Sequence, residues 1–134
     1  MSAVIDTSVD YLLPDLADNM RKNPGEIPNN GIDDDGNDYY GWDFAYDDND
    51  PMHGDGHGTH CSGIIAAKGN NENGVCGVKW NARVMMLKFL DNYGSGYTSD
   101  AIDAVNYATA MNVPKGLKVF IILKKTYKTE FRPR

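Results

Sequence analysis

Three short apolar runs, separated by two stretches of helical character, constrain this chain more than any other feature of its sequence. The first run, Ala3-Val4-Ile5, is largely β-branched and closes in Asp6-Thr7-Ser8. The second extends from Ala82 to Leu90 and is apolar apart from Arg83 and Lys88. The third is Lys118 to Leu123. Continuous apolar runs of this length are what strands buried on both faces look like. Between the second and third, Ala101, Ala104, Val105, Ala108 and Met111 recur at helical spacing and define one buried face. Thr98 or Ser99 is placed to cap that helix, Asp100 falls in its first turn, and Pro114 and Gly116 end it. Strand, helix, strand, helix, strand predicts an α/β fold with a mainly parallel sheet flanked by helices. Asp6 then sits at the carboxyl end of a strand, where open α/β sheets place their sites. In structural terms alone it closes the strand in an Asx turn.

The first helix begins at Gly56-His57-Gly58-Thr59-His60-Cys61-Ser62-Gly63, which runs into Ile64 to Ala67. This is a loop-to-helix junction with His57 in or near the first turn. A helix N-terminus is electropositive and disfavours protonation of a nearby imidazole, which suits a base. A buried histidine held by a backbone carbonyl is the other reading. Gly63 is expected to let the helix pack closely on a neighbour.

Together the strand ending in Asp6 and His57-Gly58-Thr59-His60 resemble the aspartate and histidine motifs of the subtilisin-like serine proteases, the subtilases. Pro14-Asp15-Leu16, Gly41-Trp42-Asp43-Phe44 and Gly94-Ser95-Gly96 match further family motifs in the same order. The resemblance covers Ser2 to Val119. It implies a partial subtilisin-like three-layer α/β fold over residues 1–119 and polypeptide substrates. It gives Asp6 and His57 as two members of an Asp-His-Ser triad, in the chain order that subtilisin uses. In that triad the aspartate orients the imidazole, and the imidazole takes the proton of a serine hydroxyl. By the same resemblance Gly94, Ser95 and Gly96 form an edge segment whose backbone pairs with an extended substrate. Without it, they read as an ordinary loop. The Gly-Thr-Ser-Met-Ala-like nucleophile segment and the Ala-Gly-Asn-like oxyanion segment do not occur in the 134 residues. The expectation is therefore a chain inactive by itself, with a complementing chain carrying the serine half as one possible partner. Ser8 stands where the family has Gly, which predicts strain if that position needs positive φ.

Charge is unevenly placed. Of the 19 acids 16 are Asp, and nine of these lie between Asp33 and Asp55. An acidic loop of this kind is either a solvated surface or a source of hard oxygen ligands for calcium. The resemblance implies structural Ca2+ at two places. One uses Asp43 with Asp48 and Asp50. The other pairs Asp15 with Asn71 in the loop Gly69 to Val75. Asp33 to Asp38 is only loosely like a calcium loop. His53, His57 and His60 lack the spacing of a zinc site, since they sit on a glycine-broken loop rather than one helical face.

The remaining features set limits. The net charge of −6 argues against nucleic acid as a partner. No apolar run is long enough for a membrane span. Met1 to Leu13 has no signal-peptide pattern, although the family implies a secreted protein. Cys61 and Cys76 do not form a disulfide framework, and two buried thiols are expected. After Val119 the family pattern ends. Residues 120–134 form a divergent basic tail, with seven basic residues and one acid from Lys115 onward. A frameshift, a truncated reading frame or a genuine basic tail each account for it.

Overall fold

The computed structural model describes residues 1–23, 25, 27, 30, 32, 39–52, 54–111 and 118–121. Among the described residues four strands and two helices follow in the order β1 (Ser2–Asp6), β2 (Gly41–Asp43), α1 (His57–Ala66), β3 (Val84–Lys88), α2 (Thr98–Ala110) and β4 (Lys118–Ile121). A short 3-10 turn covers Ala17–Asn19. The sheet order is β2-β3-β1-β4, and every pairing is parallel. The three apolar runs are thus neighbours, with β1 at the centre. β2 adds an edge strand at Gly41-Trp42-Asp43, where the sequence offered a motif but no strand-length run. The strand is only three residues long, and residues 33–38 before it are all Asp, Asn or Gly, so periodicity has nothing to register there.

Alternation along the strands sorts the core into two layers. Val4, Val84 and Met86 face α1, with Ala66, Val9, Leu16 and Met20 packed around them. Ala3, Ile5, Met85 and Leu87 face α2, against Ala104 and Ala108. Ala101, Val105 and Met111 complete that face, as their spacing predicts. The result is three layers, helix on sheet on helix, consistent with a partial subtilisin-like fold. Every residue of β1 and β3 is buried. Complete burial of a side chain such as Ile5 or Leu87 contributes about 1.5–3 kcal/mol each.

Several local expectations change. Neither Thr98 nor Ser99 caps α2. Tyr97 holds the N-cap position, and its carbonyl accepts the N–H groups of Asp100 and Ala101. The apolar run 82–90 is strand only over Val84–Lys88, because Leu90 has already turned toward the loop that follows. α2 ends at Ala110, and Pro114 and Gly116 lie outside the described residues, as does the tail from 122 onward. Among the described residues no helix is long and apolar enough to cross a membrane.

Candidate active site

Asp6 ends β1 with its side chain fully buried, 0% exposed. His57 is the first residue of α1. Its Nδ1 lies 2.9 Å from both carboxylate oxygens of Asp6. The two residues are 51 positions apart, so this contact is made by the fold and not by the local chain.

The turn after β1 is stitched to the start of α1 by short polar contacts. Thr7 N–H donates to Asp6 Oδ1 at 2.6 Å, which fixes the carboxylate. The Thr7 and Ser8 hydroxyls both donate to the Asp55 carbonyl, at 2.8 and 2.7 Å. Gly58 N–H donates to Thr7 Oγ1 at 3.1 Å, and Asp10 N–H to Thr59 Oγ1 at 2.9 Å. Asp55 Oδ1 accepts the His57 N–H at 3.0 Å and satisfies one of the free donors of the helix start. Gly58 is what allows the approach. A Cβ there would stand 2.3 Å from the Ser8 carbonyl oxygen and 3.0 Å from Met86 Cε. Gly63 has no such neighbour within 4 Å, so the close-packing role expected of it belongs to Gly58. Ser8 is not among the positive-φ residues, so the strain expected there is absent.

Cys61 lies one helical turn after His57. Its Sγ is 3.9 Å from His57 Nδ1. Burial and the Asp6 carboxylate push its thiol up to about 11. Cys76, expected to be buried, is exposed, and both cysteines are free. The i, i+4 spacing of His57 and Cys61 was the available signal for their contact.

Gly94, Ser95 and Gly96 form the turn that leaves β3. Asp91 Oδ1 accepts the Tyr93 and Ser95 N–H groups, each at 2.9 Å, and Asp91 N–H donates to the Ser95 carbonyl at 2.7 Å. Ser95 and Gly96, with Tyr46, Phe89, Asp91 and Tyr97, line a cleft of about 190 Å³.

The structure does not gather Asp43, Asp48 and Asp50 into one ligand cluster. Among the described residues the grouping of three such side chains within 4.8 Å is Asp6, His57 and Cys61. Asp43 is engaged elsewhere. Its Oδ2 takes a charge-assisted hydrogen bond from Lys88 Nζ at 2.6 Å, and its Oδ1 accepts from Ala45 and Tyr46. Lys88 is wholly buried beneath the Tyr46 ring, 4.1 Å from its centroid. Burial outweighs the Lys88 contacts and holds the Asp43 carboxyl up at about 6. Asp48 Oδ1 accepts the Asp50 N–H, and Asp50 Oδ1 accepts from Met52 N–H and the Tyr11 hydroxyl. Sequence alone did not single out Lys88, because a lysine inside an apolar run has no visible partner.

Asp15 and Asn71 do meet. Asn71 Nδ2 donates to Asp15 Oδ1 at 2.8 Å, and Val75 N–H donates to Oδ2 at 2.8 Å. These bonds, Asn71 first, hold the Asp15 carboxyl below its ordinary value. Gly74, at φ +42, lets the loop close over the carboxylate. Asp33 to Asp38 and His53 lie outside the described residues. His60 is exposed on α1.

The chain matches the profile of the Subtilase family over residues 3–122. It belongs to that family. Among similar proteins are Subtilisin-like protease 1 of Plasmodium falciparum (isolate 3D7), 41% identical over 114 residues that cover 81% of this chain and 17% of the relative. Thermitase of Thermoactinomyces vulgaris is 37% identical over 106 residues, 79% of this chain and 32% of the relative. The cell wall-associated protease of Bacillus subtilis (strain 168) is 34% identical over 117 residues, 87% of this chain and 11% of the relative. The chain thus spans less than a third of each of these subtilase relatives. The family match reaches slightly past the last recognisable motif residue, Val119.

Proposed function

We propose that this chain is the Asp-His portion of a subtilisin-like serine endopeptidase. The observation that carries the reading is the bond between His57 Nδ1 and both oxygens of the buried Asp6, at the carboxyl end of a parallel sheet. Asp6 holds the ring with Nδ1 as donor, which leaves Nε2 free as the base. Nε2 takes the proton of a serine hydroxyl as that hydroxyl attacks a peptide carbonyl, then delivers it to the leaving amine. Asp6 stabilises the imidazolium formed between the two transfers. Ser95 and Gly96 present backbone for an extended polypeptide beside the cleft.

The serine and the oxyanion segment are absent from the 134 residues, so the chain alone performs no hydrolysis. In subtilisin itself, loss of the nucleophile costs about a million-fold in turnover. A fluorophosphonate probe is expected to leave the purified chain unlabelled, and stoichiometric labelling would overturn this. The family reading is tested separately by a chimera in which residues 3–111 replace the matching segment of thermitase. Peptide hydrolysis that falls at least about ten-thousand-fold with His57→Ala is the expected result. A folded chimera with no hydrolysis, or one indifferent to that substitution, would contradict it. A serine-bearing partner chain and a location outside the cell belong to this same reading, the latter supported by the name of the cell wall-associated relative.

A second reading, a calcium-stabilised binding module, is favoured by the Asp15 loop. The Asp15 carboxylate and the Asn71 amide oxygen, once the amide is turned, are hard donors of the kind calcium takes. The Asp43 carboxylate, already bonded to Lys88, is a poorer donor. Calcium is expected to raise the unfolding temperature of the chain, and Asp15→Asn to abolish the rise. An unchanged temperature would remove calcium from the account.

A further inference from the structure

Charge in this fold is sorted along the strand direction. Asp6, Asp43 and Asp91 stand at or just beyond the carboxyl ends of β1, β2 and β3, and the lysine there, Lys88, is buried against Asp43. The amino ends of the strands carry the opposite sign. Lys22 closely follows Met20, which bridges to Val84 at the start of β3. Lys79 and Arg83 lie in the segment that leads into β3, and Lys68 follows the C-terminal end of α1. All four side chains are exposed. Asp18 ties them together. Its carboxylate is 2.5 Å from Lys68 Nζ, its carbonyl accepts from Arg83, and with Met20, Lys22 and Arg83 it lines a recess of about 500 Å³. Trp80 belongs to the same surface. Asn19 Nδ2 donates to its carbonyl and to that of Ala66, which pins the segment to the end of α1. The indole lies over Gly69, where a Cβ would stand 2.2 Å from the ring, yet the residue is 49% exposed. Val78, two residues before it, is 88% exposed.

We propose that this end of the sheet docks peripherally on an anionic lipid bilayer, with Lys22, Lys68, Lys79 and Arg83 on the headgroup phosphates and Trp80 and Val78 in the interfacial layer. Cations beside an exposed indole and an exposed apolar side chain are the composition that interfacial binding uses. Each Lys or Arg at an anionic surface strengthens binding about fivefold. Four cations against the carboxylates of Asp18 and Asp15, the latter already bonded to Asn71 and Val75, leave two net charges and about a 25-fold gain. The net charge of −6 does not cancel this. At about 3.3 Å per residue β1 carries Asp6 about 13 Å from Ser2, beyond the screening length of about 8 Å at physiological salt. A soluble anionic polysaccharide matches the cations but leaves Val78 in water, so the bilayer fits the patch better. Docked this way, the chain turns Asp6 and His57 away from the lipid, since both lie at the other end of the sheet.

The docking surface does not depend on the protease reading, and its test involves no hydrolysis. The purified chain is sedimented with vesicles of phosphatidylglycerol and phosphatidylcholine in equal parts, and with vesicles of phosphatidylcholine alone. Partition onto the anionic vesicles is expected to be at least about tenfold the stronger at low salt, and to be lost at about 1 M salt. The tryptophan emission is expected to move to the blue on binding, and that movement to vanish in Trp80→Phe, which keeps Trp42. The double variant Lys22→Gln/Lys79→Gln leaves the Lys68 and Arg83 contacts of Asp18 in place and is expected to lower partition at least about tenfold. Equal partition onto the two vesicle types, partition indifferent to the double substitution in a folded variant, or an emission change that survives Trp80→Phe would each overturn the proposal. Retention on immobilised heparin without vesicle binding would overturn it as well, in favour of a soluble polyanion.

Discussion

Asp6, Lys88 and Asp43 are in register across three neighbouring strands, Asp6 opposite Lys88 and Lys88 opposite Asp43. The two carboxylates take different partners from that row. Asp6 turns to His57, and Asp43 closes on the buried ammonium of Lys88. The Asp43 carboxyl nevertheless sits at about 6, above its ordinary 3.8, because burial penalises its charge more than Lys88 rewards it. A raised folded-state pKa means that the native chain binds the extra proton. This contribution to stability is full below about pH 3.8 and is lost as pH rises through about 6. Lys88→Met removes both Lys88 contributions that pull the value down, so the Asp43 carboxyl carbon is expected to titrate above 6 in that variant. A midpoint that stays in place would show that Lys88 does not govern it. Ser62 on α1 offers a second residue-scale case. Its Oγ is buried with no hydrogen-bond partner among the described residues. Ser62→Ala removes an unsatisfied hydroxyl and adds helix propensity, so the urea midpoint is expected to rise by the equivalent of about 1 kcal/mol. A fall would mean that the hydroxyl is bonded after all.

At the scale of elements, α1 is the part whose placement decides the site, and its two glycines act oppositely. Gly58→Ala drives a Cβ into the Ser8 carbonyl, so α1 must move off β1. A loss of about 2–3 kcal/mol in unfolding free energy is expected, with the Asp6–His57 bond broken. Gly63→Ala meets open space and is expected to gain about 1 kcal/mol from helix propensity. Equal effects at the two positions would refute this assignment. The sequence displays the identity of these elements well, since β1, β3 and α2 announce themselves by apolar continuity or by helical spacing. It displays Asp6 and His57 through their motifs. What it does not display is register and contact. β2 is three residues long, too short for a period. Lys88 reads as an anomaly until Asp43 is placed beside it. The tight glycine could not be told from the loose one without the neighbouring backbone. Cys76 looked buried from its small apolar neighbours, whereas the loop from Gly69 onward carries it to the surface.

For the molecule as a whole, the central relation is between a three-layer core and one polar seam. The sheet core fixes β1, and α1 packs on it through Ala66 and its partly buried neighbour Ile65. The hydroxyls of Thr7, Ser8 and Thr59 then lock the helix start to the strand end. On this account the Asp-His pair is preorganised by the residues in hand. Proton NMR of the purified chain tests that directly. The account predicts a His57 Nδ1 proton downfield of the amide envelope, coupled to imidazole nitrogen and absent in Asp6→Ala. A folded chain with no such proton, or one that keeps it after Asp6→Ala, would contradict it.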